Sequence, residues 1–478
     1  MPDSTRRHDI VVVGAGSAGY AAARTARDVG CDVALIDHGP LGGLCILRGC
    51  MPSKALLASS DALADARDAG VLGIHAGSLT VDMPFIAARK RALVRGFAEY
   101  RVEGIEEFPL YRGAARFLSP TQVAVGDEVL EAPRFVIATG SVVSPPALPG
   151  LLETGYLDSD SVLELEAIPA SVIVLGGGYT ACELGQFVSR MGARTTVLIR
   201  SGHLLTSEDD DVGEALTGYF RDDGIDVVTG TSLLSAQRRG AEKVVRYACG
   251  GAEQEATASE IFYALGRSPD TGGLDLAKAG IAGDPSGAIV VDSYMRTSNP
   301  NVYAVGDVTG EYMLVHVAIY QGEVAARNAC LNTNERAEYR LAAAHTVFTD
   351  PQFAAVGASE KDLRRAGTPY VRGRYDFAEH GKAQCLGKTK GFVKMMADRD
   401  RGGILGAAVL GPEASELIHE IIVAMRYDAT VDDFMRIPHL HPTLAEIWTY
   451  PAEECAAQLG RKIPGDEQME TATSASGA

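Results

Sequence analysis

Two copies of one glycine-rich pattern predict an α/β protein: two Rossmann-like dinucleotide-binding domains, the second inserted in the first, then a C-terminal α+β domain. The first copy, Gly14-Ala15-Gly16-Ser17-Ala18-Gly19, lies between the apolar run Ile10-Val11-Val12-Val13 and an alanine-rich stretch from Tyr20 to Val29. The second, Gly176-Gly177-Gly178-Tyr179-Thr180-Ala181, follows Val172-Ile173-Val174-Leu175. From about Ala344 the strand and helix patterns continue without such a fingerprint. The division is 1–150 and 270–343 for the first domain, 151–269 for the second and 344–465 for the third, with 466–478 as a tail. The tail is polar and small, the composition of a disordered segment.

Each apolar run is continuous and β-branched, as in a parallel strand buried on both faces. In the G-x-G-x-x-G unit, glycines let backbone N–H groups and a helix N-terminus meet a pyrophosphate. The second strand of the first unit, Val33-Ala34-Leu35-Ile36, ends at Asp37, an acid placed to accept hydrogen bonds from a ribose. In the second unit a helix runs from Cys182 towards Met191, and the strand Thr195-Thr196-Val197-Leu198-Ile199 ends at Arg200 instead. Two such sites in one chain suggest two different dinucleotides, most economically a flavin and a nicotinamide that exchange a hydride. Val136-Ile137-Ala138-Thr139-Gly140 ends a strand, and Pro145-Pro146-Ala147-Leu148-Pro149-Gly150 reads as a linker into the insertion. Ile261-Phe262-Tyr263-Ala264-Leu265-Gly266-Arg267 lies at its far side. Asn301-Val302-Tyr303-Ala304-Val305-Gly306-Asp307 then sets a carboxylate at the carboxyl edge of a sheet, where such folds bind ligands.

With 478 residues, 46% of them hydrophobic, the chain has ample core for several domains. Its net charge of −18 argues against nonspecific nucleic-acid binding. No apolar run reaches the ~18–20 residues that span a bilayer. The start, Met1 to Asp9, lacks the apolar core of a signal peptide, so the expected location is cytoplasmic. There the eight cysteines should be mostly reduced, and a disulfide should be catalytic rather than structural.

One stretch carries concentrated chemistry: Gly42-Gly43-Leu44-Cys45-Ile46-Leu47-Arg48-Gly49-Cys50-Met51-Pro52-Ser53-Lys54. Pro52 excludes a deep helix position, which puts the cysteines at a loop-to-helix start. There a helix dipole and a nearby cation favour the thiolate. A redox pair, half a zinc site and two unrelated thiols all fit this spacing. The third domain holds His439-Leu440-His441-Pro442-Thr443-Leu444-Ala445-Glu446, in which Glu446 is near enough to orient and charge an imidazole suited to proton exchange with a thiol. A satisfied loop histidine is the plainer reading. For a metal at His439 and His441 no third ligand declares itself, and none is expected.

Together these motifs, in this order from about Asp9 to Arg461, resemble the FAD-dependent pyridine-nucleotide disulfide oxidoreductases, the family of dihydrolipoamide dehydrogenase, glutathione reductase and mercuric reductase. The resemblance implies a Cys45–Cys50 redox disulfide, with Cys50 beside the flavin as a charge-transfer thiolate and Cys45 as the thiol that attacks a substrate disulfide. It implies that His441, held by Glu446, protonates the departing thiolate in the partner subunit's site, hence a homodimer. FAD would rest on Gly14, Gly16, Ser17, Ala18, Gly19, Asp37, Gly43, Cys45, Lys54, Ala138, Thr139, Gly140, Gly306, Asp307, Met313 and Leu314. NAD(P)H would rest on Gly176, Gly178, Tyr179, Thr180, Glu183, Arg200, Gly266 and Arg267, with Glu183 also pairing Lys54 near the flavin.

The implied activity is electron exchange between NAD(P)H and a small disulfide or dithiol. The His439–Glu446 segment looks most like dihydrolipoamide dehydrogenase. Arg200 looks like the NADPH-using reductases, where an arginine meets the 2′-phosphate, so NADPH is expected, with NADH as the alternative. Val197-Leu198-Ile199-Arg200 and Val347-Phe348-Thr349-Asp350-Pro351 resemble mercuric reductase, but no cysteine follows Cys455 to hand over a metal. Leu44, Ile46, Leu47 and Arg48 replace the family's small and polar residues, and Arg48 is positioned to favour a thiolate or an anionic substrate. The rival readings are a metal-ion or quinone reductase and a flavoprotein subunit of a larger lipoyl complex. No lipoyl or peripheral-subunit-binding domain is present in the sequence.

Overall fold

A computed structural model describes residues 5–461 and divides them between two compact units. The expected tail at 466–478 lies outside the described residues. Among the described residues the first unit comprises 5–59, 82–168 and 262–342; the second comprises 60–81, 169–261 and 343–461.

The first unit is built on five parallel strands in the order Val302–Ala304, Arg134–Ile137, Ile10–Val13, Val33–Asp37 and Leu110–Arg112. Ile10, Val11 and Val12 are wholly buried because the sheet is covered on both faces. One face packs against the helices Ser17–Asp28 and Val315–Leu331, the other against Phe117, Val123 and Leu130. Those three residues belong to a second sheet of Thr5–Arg7, Glu128–Glu131, Gln122–Val125 and Ala115–Ser119, which the motif reading did not anticipate. In its strands Ala115–Ser119 and Gln122–Val125 buried apolar residues alternate with more exposed ones, as in a sheet covered on one face.

The second unit repeats the theme. Ser171–Leu175, Arg194–Leu198 and Asp226–Val228 pair in parallel, and the helix Tyr179–Arg190 follows the fingerprint. An antiparallel meander, Ser232–Arg239, Glu242–Cys249 and Ala252–Ala258, completes this part. Beyond it lies a five-stranded antiparallel sheet in the order His345–Val347, Gln352–Gly357, Ile404–Gly411, Phe392–Asp398 and Tyr370–Asp376, with the helices Ala414–Arg426 and Thr449–Gln458 packed on it. This is the α+β domain. A wholly buried lysine ties it to the preceding part of the same unit: Lys394 Nζ lies 2.7 Å from both Asp209 and Asp211 and 3.4 Å from Glu360. A buried ammonium persists only when paired in this way.

The cysteine pattern requires a correction. A disulfide joins Cys31, just past the helix Ser17–Asp28, to Cys330 near the end of Val315–Leu331, with a Cα–Cα separation of 6.4 Å. The two helices pack side by side, which brings together cysteines 299 positions apart, so spacing gave no hint of it. Cys45 and Cys50 are not joined by a disulfide in this structure, so its one disulfide among the described residues is not the expected catalytic one.

Candidate active site

The first fingerprint forms a close-packed cradle. Gly14 has φ +101°, and a Cβ there would meet the Ala138 carbonyl oxygen at 2.3 Å. Both Asp37 oxygens accept backbone N–H groups, Oδ2 from Ala15 at 2.8 Å and Oδ1 from Gly39 at 2.9 Å. The carboxylate therefore fixes the turn and keeps lone pairs for a ribose hydroxyl. Gly43, with φ +77°, brings the cysteine segment down on this turn: its Cβ would lie 2.7 Å from the Gly16 Cα. The chain then forms the short helix Gly43–Arg48, breaks at Gly49, and starts the helix Cys50–Asp68. Pro52 falls in the first turn, where its missing N–H costs nothing. Lys54 sits one turn beyond Cys50, on the same helical face.

The break at Gly49 brings the two thiols into contact. The Cys45 thiol is hydrogen-bonded with Cys50, and this contact, together with burial, pushes its pKa up rather than down. Against the lowering that a loop-to-helix start favours, the neighbour thiol and burial dominate at Cys45, and the Arg101 charge is the smaller effect. Cys50 is the exposed member, Cys45 the half-buried one. Arg48 turns away to Asp160 at 3.3 Å, so its charge is already answered by a carboxylate.

The strand ends complete this cradle. Asp307, in the turn Gly306–Thr309, accepts a hydrogen bond from Ser141 Oγ at 2.7 Å. Arg267 donates to Ser141 Oγ and to its carbonyl, at 2.9 and 2.8 Å, and burial lowers its pKa. The Gly306 N–H donates to Gln321 at 2.7 Å, and Thr139 Oγ1 to the Asp270 carbonyl at 2.6 Å. Met313 is exposed and Leu314 caps the helix Val315–Leu331. Gly140 follows the strand end, and Gly266 precedes Arg267 on the exposed side of the same edge. These groups fit a dinucleotide: the cradle is one that a side chain at Gly14 or Gly43 would fill, and the Asp37 carboxylate is held against its turn.

In the second unit Gly178 begins the helix Tyr179–Arg190, so Tyr179 and Thr180 form its first turn. Tyr179 hydrogen-bonds Glu208, and its ring stacks on His345 at a 5.8 Å centroid distance. His345 Nε2 lies 3.2 Å from Glu208. Burial opposes a charged imidazole there, but the close Glu208 carboxylate outweighs it and raises the His345 pKa. Neither Glu208 nor His345 stood out in the sequence, since the two are 137 positions apart and belong to no motif. Glu183 is buried and accepts the Phe348 N–H at 2.9 Å. Arg200 is exposed, and no side-chain hydrogen bond or ion pair occupies its guanidinium among the described residues. His203, three positions on, is engaged: its two ring nitrogens contact the Leu204 carbonyl at 2.7 Å and Asp210 at 3.1 Å.

The C-terminal segment brings together the expected pair, His441 and Glu446. His441 Nδ1 lies 2.9 Å from Glu446 Oε2; the His441 side chain is 80% exposed and that of Glu446 is 13%. Thr443 Oγ1 bonds the Leu440 carbonyl and accepts the Glu446 N–H, which locks the turn between them. His439 points elsewhere, buried against Glu420 at 2.6 Å. No cluster suited to a metal ion occurs among the described residues.

Two nucleotide cradles, a glycine-seated dithiol and a carboxylate-held histidine define a dithiol-dependent dinucleotide oxidoreductase. The pyridine nucleotide-disulphide oxidoreductase model matches residues 8–322, and the corresponding dimerisation-domain model matches 343–452. A dihydrolipoyl dehydrogenase of Chlamydia muridarum is 36% identical over 93% of this chain and 96% of its own. A mercuric reductase of Streptomyces lividans is 33% identical over 95% of this chain and 97% of its own. Among solved structures, the HOCl-induced flavoprotein disulfide reductase RclA of Escherichia coli superimposes with a TM-score of 0.83 at 24% identity, over 94% of this chain and 99% of that one, a likeness of fold. The chain belongs to the pyridine nucleotide-disulphide oxidoreductase family. It is an FAD-dependent NAD(P)H:disulfide oxidoreductase with a dimerisation domain, and it forms a homodimer. No helix among the described residues is long and apolar enough to cross a membrane.

Proposed function

We propose that this chain reduces, or in reverse oxidises, a small disulfide or dithiol through Cys45 and Cys50, with His441 of one subunit serving the site of its partner. The observation that carries the reading is the His441 side chain, which stands 80% exposed while Glu446 holds its Nδ1 at 2.9 Å. An orienting carboxylate on an exposed imidazole leaves Nε2 free to move a proton. When bound, FAD supplies the two-electron relay between nicotinamide and thiols. Cys45 attacks one substrate sulfur and the substrate S–S bond breaks. His441 gives the departing sulfur its proton. Cys50 then attacks the Cys45 sulfur, releases the second substrate thiol and leaves the Cys45–Cys50 disulfide, oxidised by two electrons. The upward push on the Cys45 pKa by Cys50 supports a shared proton that a base must remove before attack.

A dihydrolipoyl group and a low-molecular-weight disulfide are the two substrate candidates; the dihydrolipoyl dehydrogenase relatives favour the first. NADPH is the proposed donor, because Arg200 is exposed with its guanidinium uncommitted where a 2′-phosphate would lie. We place the enzyme in the cytoplasm, a reducing compartment in which a Cys45–Cys50 pair would cycle. A metal-ion reductase is the second reading, favoured by the mercuric reductase relatives. Steady-state turnover of NADH and NADPH against lipoamide, thiol disulfides, quinones and metal ions tests this. Disulfide turnover with little metal or quinone turnover is expected, and the opposite order would sink the proposal.

A further inference from the structure

Behind Glu446 lies a second imidazole that the acid–base pair does not use. His380 begins the short helix Gly381–Leu386, after the turn Phe377–Glu379. Its side chain is wholly buried, and its Nε2 lies 3.6 Å from Glu446 Oε1, the oxygen that does not hold His441. Neither ring nitrogen of His380 has a hydrogen-bond partner among the described residues. Two buried unpaired imidazole nitrogens are costly, and a native fold tolerates them where the group has a task. Aromatic rings wall part of its surroundings. Phe377 and Tyr450 meet it edge-on at 6.4 and 6.3 Å, and Tyr375 stacks on Tyr450 at 3.9 Å.

We propose that His380 is a positioning residue for the thiol acid–base step, an imidazole that steadies the far oxygen of Glu446 so that the near oxygen holds His441. The inference rests on the reading of His441 given above. The titratable groups that face His380 are Glu446, His441 beyond it, Tyr450 and Tyr375. Burial lowers the His380 pKa, and the Glu446 charge opposes this without reversing it. The imidazole is therefore neutral at pH 7 and offers one N–H donor to an anion. At 3.6 Å the contact is charge–dipole, and a side-chain rotation of about half an ångström would bring it within hydrogen-bond range. The donor favours the ionised carboxylate, which is the form that His441 needs.

The test uses the flavin-loaded dimer and four variants: His380→Phe and His380→Met, which fill the space without a donor, His380→Gln, which keeps a donor at the same reach, and His441→Gln. With a disulfide substrate, the Phe and Met variants should lose about tenfold to a hundredfold in kcat, the range expected for a hydrogen bond to a charged group. The acid limb of their kcat profile should move up by about one pH unit, since a buried carboxylate that loses a donor protonates more readily. Quinone turnover, which needs no thiol proton, should stay within about twofold of wild type. His380→Gln should recover most of the rate and the wild-type acid limb. An unmoved acid limb in both apolar variants, or equal losses in disulfide and quinone turnover, would overturn the proposal. His441→Gln keeps the two readings apart: if it too leaves disulfide turnover intact, the parent reading fails. If it alone slows turnover, only the role of His380 fails.

Discussion

Glu446→Gln isolates the charge in the acid–base pair. Glutamine keeps the volume and an oxygen to accept from His441 Nδ1, so the turn held by Thr443 survives. What disappears is the negative charge 2.9 Å from the imidazole. A hydrogen bond to a charged group is worth ~1.5–3 kcal/mol. His441 is 80% exposed in the isolated chain, which places the effect at the lower end. Docking into a partner's site would move it upward. The expected loss in disulfide turnover is about tenfold, because ~1.4 kcal/mol is one decade in rate. His441→Gln removes the proton donor itself and should cost about 10²–10⁴-fold. Stopped-flow reduction of the flavin by NAD(P)H should remain fast in both, as should quinone turnover. A Glu446→Gln loss larger than that of His441→Gln, or equal losses in the disulfide and quinone assays, would show that the pair is structural.

Two further outcomes follow from the second unit. Arg200→Glu should lower kcat/KM for NADPH by about one to two decades and improve it for NADH, since a charge-assisted phosphate contact becomes a repulsion; a wild type that prefers NADH, with Arg200→Ala leaving that ratio unchanged, would remove Arg200 from the site. His345 has a raised pKa, so its ionic contribution is present below the unfolded value of about 6.5 and fades as pH rises through the folded value. His345→Gln should therefore lower Tm more at pH 6 than at pH 9, and equal losses at the two pH values would mean that only ring packing matters.

Where the signal was local, sequence and structure agree closely. The strand Ile10–Val13 has the expected bounds, and Val33–Asp37 carries its acid in the expected register. Both fingerprint helices start earlier than the alanine-rich pattern suggested, at Ser17 and Tyr179, because the last fingerprint residues already have helical backbone. The His441–Glu446 pair was readable because five positions separate its members and one turn closes them. The pairs that escaped notice are all distant in sequence. Cys31 meets Cys330 only because two helices pack side by side. His380 reaches Glu446 across the third domain, and Glu208 meets His345 across the second unit. At Cys45 helix position alone favours a lowered pKa, whereas the Cys50 hydrogen bond and burial, which no local pattern reveals, push it up.

Which cysteine pair carries the electrons is open to direct measurement. The oxidised enzyme, with accessible thiols first blocked, is reduced anaerobically with one equivalent of NADPH, alkylated with a distinguishable reagent, and mapped by peptide mass. The account predicts that the new label falls on Cys45 and Cys50 and that Cys31 and Cys330 stay unlabelled. New label on Cys31 and Cys330, with none on Cys45 or Cys50, would contradict it and move the redox centre to the disulfide between the two helices.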